Sequence, residues 1–213
     1  MNVLDIINLM GTLSIGNKNV TNTDKETYLV YLNIAHCKLY RDTAIFNESL
    51  LKTETIPLTQ GSNEIVLSDN PFCINKVYLQ HSNNNLKRLH LTDIIEYDPG
   101  FIQKGTALGY YNVKNIIKLY PFPLLSFGDA IVWYKPGVKL FNMLTQSQEI
   151  PYPVEFHPGL ANGALYYLFL DEGGFRSTQK EKEAEIRWQS DRGEILQYFM
   201  NSSMKPIRTY SRV

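Results

Sequence analysis

The chain has 213 residues, enough for one generous domain or two small ones, and its 44% hydrophobic and 20% charged content excludes disorder throughout. Twenty-one basic and 21 acidic side chains cancel, which argues against a dedicated nucleic-acid binder. Cys37 and Cys73 give neither a disulfide framework nor metal-ligand spacing, read as buried thiols of a protein made in the cytosol, and imply no cofactor.

Val3, Ile6, Ile7 and Met10 fall at i, i+3, i+4 and i+7, one face of a short helix that Gly11 is expected to end. After a polar loop, Thr23-Asp24-Lys25-Glu26 reads as a capping box. Tyr28, Leu32, Ala35, Leu39, Phe46 and Leu50 then stripe a long helix over about 24–51. From Thr55 the period changes to that of strands. Gln60-Gly61-Ser62-Asn63 is turn chemistry, and Asp69-Asn70-Pro71 punctuates before a strand at 72–79 in which Val77 and Leu79 share a face. Leu89 and Leu91 alternate, and 110–113, 116–120 and 129–134 are further strand candidates. Lys114-Asn115 joins the first two of these as a hairpin turn.

Helical spacing returns at Leu160, Ala164, Tyr167 and Leu168, with a stop expected at Gly173-Gly174 and with Pro158 tolerated in the first turn. A second capping box, Thr178-Gln179-Lys180-Glu181, opens a helix carrying Ala184, Trp188, Ile195 and Phe199 on one face. The stretch 160–170 holds Asn162 and is half the roughly 20 residues a spanning helix needs. The opening Met1-Asn2-Val3-Leu4-Asp5 lacks a basic signal-peptide start, so a soluble chain without a targeting segment is expected.

The resulting fold class is α+β. A long N-terminal helix and a C-terminal helical hairpin form a discontinuous base (1–54 and 150–200), and an antiparallel, sandwich- or barrel-like β lobe is inserted at 55–149. Residues 201–213 read as an extended arm whose last nine residues hold Lys205, Arg208 and Arg212 and no acid.

Catalytic signatures do not emerge. His36, His81, His90 and His157 are scattered without metal-ligand spacing, and no P-loop, G-x-S-x-G or G-x-G-x-x-G occurs. Asp93, Glu96 and Asp98 would suit a carboxylate hydrolase only if a cleft set their separation; the plainer account, and the one preferred, is that Thr92 or Asp93 caps one helical turn and Asp98-Pro99-Gly100 is a turn. Tyr110, Tyr111, Trp133 and Tyr134 leave open a carbohydrate-binding module, although alternation turns at least half of them inward. The segment 176–194 holds five bases and five acids. Such a mixed face is a solvated surface or, in a ring, a subunit seam, with Arg176, Lys180, Glu183, Arg187 and Asp191 as candidates.

The run from Tyr111 to Pro123, then Gly128-Asp129-Ala130-Ile131-Val132-Trp133-Tyr134, is a strand, a turn, a strand closing in Pro-x-Pro, and a strand ending in tyrosine. With Ile150-Pro151-Tyr152-Pro153-Val154-Glu155-Phe156-His157 ahead of a helix, this order resembles the head-to-tail adaptors of short-tailed bacteriophages, crAss-like or related, over about 24–200. The resemblance implies a structural virion protein, not an enzyme. It would be made in the host cytoplasm and form a ring of about twelve copies beneath the portal. The ring would carry downstream tail proteins and pass double-stranded DNA, with no membrane partner. A compact chain of this length has a radius of gyration of roughly 17 Å and cannot encircle a duplex alone. The arm, through Lys205, Ile207, Arg208, Tyr210 and Arg212, would run onto the portal or a neighbour, and the β lobe would meet the next tail protein.

Overall fold

A computed structural model of the chain describes residues 1–15, 20–59, 61–80, 83–123, 128–143, 150–171 and 178–203. It is α+β, with long helices near both ends and largely antiparallel sheets between. The chain divides into two compact units, Met1–Glu48 with Val138–Val213, and Ser49–Gly137.

In the first unit, helix α1 (Val3–Ile15) buries Val3, Ile6, Ile7 and Met10 as their spacing requires, but it runs through Gly11 instead of ending there. An interior glycine costs a helix only about 1 kcal/mol, which the buried face outweighs. Helix α2 (Asn22–Thr43) starts earlier than expected, because Thr21 is the residue in extended conformation. Its hydroxyl oxygen accepts the Asp24 N–H at 3.2 Å, so the cap is Thr21 with Asp24 and not Thr23 with Glu26. The helix also stops earlier. Phe46 and Asn47 both turn their N–H groups back to the Thr43 carbonyl at 3.0 Å, so Phe46 lies beyond the last turn of α2 and Leu50 closes a separate 3-10 turn, Glu48–Leu50. The apolar period continued where the backbone did not.

Helices α4 (His157–Asp171) and α5 (Thr178–Ser203) pack along one another, and α4 also packs on α1 and α2; the connection holding Gly173-Gly174 lies outside the described residues. Pro158 is the second residue of α4, where its missing N–H breaks no helical bond. Ala184, Trp188, Ile195 and Phe199 enter the same apolar core as Tyr28, Leu32, Ala35 and Leu39. Two glycines on α4 set the approach of α5. A methyl at Gly159 would lie 3.0 Å from Asp191 Cβ, and one at Gly163 would lie 2.7 Å from two ring carbons of Trp188.

In the second unit, β1 (Lys52–Pro57), β2 (Glu64–Val66), β3 (Pro71–Leu79), β4 (Asn84–Asn85) and β5 (Lys87–Arg88) precede a short helix α3 (Leu91–Tyr97). Then come β6 (Lys104–Gly105), β7 (Gly109–Val113), β8 (Ile116–Tyr120), β9 (Phe122–Pro123) and β10 (Asp129–Pro136). One sheet runs β1-β10-β3-β4, the other β2-β8-β7-β5. Val77, Leu79, Val132 and Tyr134 of the first meet Ile65, Tyr110, Ile117 and Leu119 of the second in one core, as in a sandwich. Two short pairs, β5 with β7 and β6 with β9, are parallel. β7 and β8 form the expected hairpin, with Lys114 in left-handed backbone at φ 56°. Asn115 of the turn donates from its side chain to the Leu67 carbonyl at 3.1 Å. Leu91 opens α3 instead of extending a strand, and the residue before the helix is His90, not Thr92 or Asp93. Gly109 is required sterically, since a methyl there would lie 2.6 Å from the Leu89 side chain.

Candidate assembly surfaces

The seam candidates fall on α5. Lys180, Glu183 and Arg187 recur at i, i+3 and i+7 and line one wall of a cavity of about 140 Å³, opposite Leu13 of α1 and Phe169 of α4. Glu183 accepts a hydrogen bond from the Gln179 amide at 3.1 Å. Asp191 continues the same face but turns to its own fold, accepting from the Asn162 amide at 2.7 Å. Next to it, Arg192 bonds Asp42 at 2.6 Å, a half-buried ion pair that ties α5 to α2. Arg176 and the arm residues Lys205, Ile207, Arg208, Tyr210 and Arg212 lie outside the described residues.

A surface that the sequence reading missed lies on the outer side of α2. Val30, Ile34 and Cys37 recur at i, i+4 and i+7 on the face opposite the buried stripe. With Leu140 and Tyr167 they line an open groove of about 550 Å³, edged by Lys38 and Arg41. Cys37 and Cys73 are both free and half-buried, short of the full burial expected of them. The spacing of Val30, Ile34 and Cys37 was a readable signal, masked by the stronger stripe on the other side.

The aromatic residues offered for sugar stacking are mostly withdrawn. Tyr110, Tyr111 and Tyr134 are buried, and Trp133 is half-buried with the Lys76 ammonium 5.2 Å from its ring. Tyr134 and Ser68 instead donate hydrogen bonds to the Glu54 carboxylate, which also pairs with Lys52 at 3.0 Å. Burial pushes the Glu54 carboxyl up, but the bonds from Ser68, Tyr134 and Lys52 outweigh it and hold the group at about 2.

The three acids do not converge into a cleft. Asp93 and Glu96 are exposed on α3, whereas Asp98 is buried and acts within its loop. Its carboxylate accepts the N–H groups of Gln103 at 2.9 Å and Ile102 at 3.1 Å, and the Tyr120 hydroxyl at 3.2 Å. The Gln103 N–H bond leads the effects that keep Asp98 below the usual carboxylate range. His36 is stacked on Phe141 with ring centroids 4.3 Å apart and has its Nδ1 3.2 Å from the Tyr152 hydroxyl. Desolvation lowers it to about 4, so it stays neutral and serves the core. Among the described residues, no group of three or more His, Cys, Asp or Glu side chains is placed to hold a metal ion, and no helix is long and apolar enough to cross a membrane.

The described surface thus offers faces for other proteins, namely a charged helix side, an apolar groove and an exposed short helix. No match was found among curated proteins. A family profile described as SU10 adaptor protein matches residues 1–209, nearly the whole chain. The chain belongs to the SU10 adaptor protein family, the phage head-to-tail adaptors.

Proposed function

We propose that copies of this chain close into a ring beneath a phage portal, attach the next tail proteins, and leave a bore through which double-stranded DNA passes. The observation that carries this is the family match over 1–209. The balanced charge supports it, because a strongly basic bore would hold DNA through counterion release. The role asks for positioning and closure, not chemistry. Lys180, Glu183, Arg187 and Asp191, with Arg176, would contribute to contacts between copies. Lys205, Ile207, Arg208, Tyr210 and Arg212 would extend onto the portal or a neighbour, and the strand-rich unit would receive the following tail protein. Assembly would take place in the host cytoplasm, and the finished ring would reside in the virion with about twelve subunits, joined by a head-to-tail contact whose rotation closes.

The experiment is to mix purified chain with the portal of its phage and image the complex. A ring of this chain below the portal is expected. Deleting residues 205–213 should leave the helical content unchanged and weaken portal binding by roughly tenfold or more. Full-affinity docking of the truncated chain would remove the arm from the account, and a chain that ignores the portal altogether would overturn the reading.

A further inference from the structure

We infer that the open edge of β1 takes residues 207–213 of a second copy as an added strand, so that the β1-β10-β3-β4 sheet runs on across the boundary between neighbouring subunits. This deepens the ring proposed above and rests on it.

β1 has six residues and pairs on one side only, with β10. The other described strands that end a sheet have two or three residues, the short edges that keep a folded chain from pairing with its neighbours. Which groups β1 leaves open follows from the ladder. Leu58 donates to the Gly128 carbonyl at 2.8 Å, continuing the register that sets Pro57 opposite Asp129. Asp129 instead accepts the Gln80 N–H at 3.0 Å, on the β3 side. Backbone groups alternate along an antiparallel pair, so Lys52, Glu54 and Ile56 bond β10 while Thr53, Thr55 and Pro57 turn outward. Among the described residues none of these outward groups has a hydrogen-bond partner, and all three residues are exposed. Pro57 loses no ladder bond there, as a proline on an edge strand should not. Thr53 and Thr55 each leave an N–H and a carbonyl unpaired.

The two sides of an added strand would meet different surroundings. On the outer face Thr53 and Thr55 stand opposite Trp133 and Ile131, both half-buried. On the inner side Lys52 pairs with Glu54 and Asp69 at 3.0 Å each, so that side of the edge is ionic. Residues 207–213 divide in the same way. In an extended chain Ile207, Thr209, Ser211 and Val213 fall on one side, and Arg208, Tyr210 and Arg212 on the other. Ile207, Thr209, Tyr210 and Val213 are of the β-branched and aromatic types that strands favour, and the segment's one proline, Pro206, precedes them. The stretch 204–213 follows α5 and, extended, spans roughly 33 Å. Every other stretch outside the described residues is six residues or shorter and joined to described elements at both ends, which leaves little length to reach another copy.

The rival occupant is β1 of another copy. That contact is two-fold and stops at two subunits, whereas β1 with 207–213 joins two different surfaces, repeats from copy to copy and closes into a ring. An added strand takes its affinity from main-chain hydrogen bonds and its specificity from alternate side chains, and both are supplied here.

Proline tests the edge while sparing the fold. Thr53→Pro with Thr55→Pro removes both open N–H donors and no bond to β10. Circular dichroism and melting should stay near wild type, while sedimentation of the full-length chain, alone and with the portal of its phage, should show assembly weakened by about tenfold or more. Thr53→Ala with Thr55→Ala keeps the donors and should assemble within about threefold of wild type. Should the proline variant melt early, deleting 207–213 must give the same loss from the other partner. In a background of Cys37→Ser and Cys73→Ser, copies with Thr55→Cys are mixed with tagged copies carrying Thr209→Cys and oxidised. A disulfide between the two kinds is expected, and Tyr210→Cys, on the opposite side of the segment, should give far less. Rings that form on the portal without the mixed disulfide, or that survive the proline pair, overturn the added strand and leave the ring reading standing. Disulfides only between two Thr55→Cys copies assign the edge to β1 pairing and overturn it as well. A chain that assembles neither alone nor on the portal overturns both readings. Mixed disulfides in a chain that ignores the portal uphold the added strand and overturn the proposed function.

Discussion

Alanine at Gly163 and at Gly193 makes the same chemical change in two helices and should move stability in opposite directions. Gly193 lies in α5 with nothing within 4 Å of where a methyl would go. There the change keeps only the helix-propensity gain, about 0.5–1 kcal/mol, worth a rise in Tm of roughly 1–4 °C for a chain of this size. Gly163 gains the same propensity, but its methyl would sit 2.7 Å from two ring carbons of Trp188 and 3.0 Å from a third. Carbon atoms prefer roughly 3.5–4.0 Å, and Trp188, 1% exposed, has no room to turn aside. Overpacking of this kind costs about 1–3 kcal/mol, which exceeds the gain. The Gly163→Ala chain should therefore melt below wild type, and, since the propensity gain is common to both, the two variants should differ by the overpacking cost of roughly 1–3 kcal/mol. Thermal and urea unfolding followed by circular dichroism at helical wavelengths would measure this. Combining Gly163→Ala with Trp188→Phe should recover part of the loss, because the smaller ring vacates the space the methyl enters. If Gly163→Ala is as stable as Gly193→Ala, or if the double variant is strictly additive, α4 and α5 do not meet as closely as described.

Two further outcomes follow from the helical unit. His36 has a folded-state value of about 4, below the roughly 6.5 of an exposed imidazole, because burial penalises its charged form. The unfolded chain binds more protons between those values, so this contribution is complete above about pH 6.5 and is lost as pH falls toward 4, an effect of about 3 kcal/mol. Urea midpoints should decline over that window, and His36→Leu should flatten the decline even where it lowers stability at pH 7. The half-buried pair of Arg192 and Asp42 should show a coupling of roughly 1.5–3 kcal/mol in a double-mutant cycle, since charge-assisted bonds of this geometry exceed surface pairs. A coupling near zero would mean that α5 is held to α2 by apolar packing alone.

The helices were legible in the sequence because one buried face imposes one period. Val3 to Met10, Tyr28 to Leu39, and Ala184 to Phe199 each mark a core-facing stripe, and each is buried. Ends were less legible, for particular reasons. Phe46 kept the stripe going past Thr43, where the chain had already turned, and Thr21 outcompeted Thr23 as cap because its extended backbone, not its neighbour's, leaves the helix start open. Strand existence could be read and strand pairing could not. Turn chemistry marks where a chain reverses, and among the described strands the reversal joins partners that then pair between β7 and β8 and between β3 and the short β4. β1 and β2 flank the Gln60–Asn63 turn and yet belong to different sheets, β1 pairing with β10 through Thr53 opposite Trp133. A contact across so much sequence leaves no local mark in either segment.

Assembly surfaces were the least legible, and α2 shows why. Reading one stripe per helix assumes that apolar residues answer to one core. In α2 the stripe through Leu32 and Leu39 does, but Val30, Ile34 and Cys37 keep helical spacing on the far side and have no covering element among the described residues of their own unit. A polypeptide that folds alone gains nothing from such a second stripe and risks nonspecific aggregation. One that must be covered by another molecule gains both its binding energy and its register from it, provided charges at the edge reject wrong partners. Lys38 and Arg41 meet that condition on α2. For chains of this kind, the residues left over after the core has been assigned are therefore the ones to read for assembly, and their spacing relative to the helix period is the signal to look for.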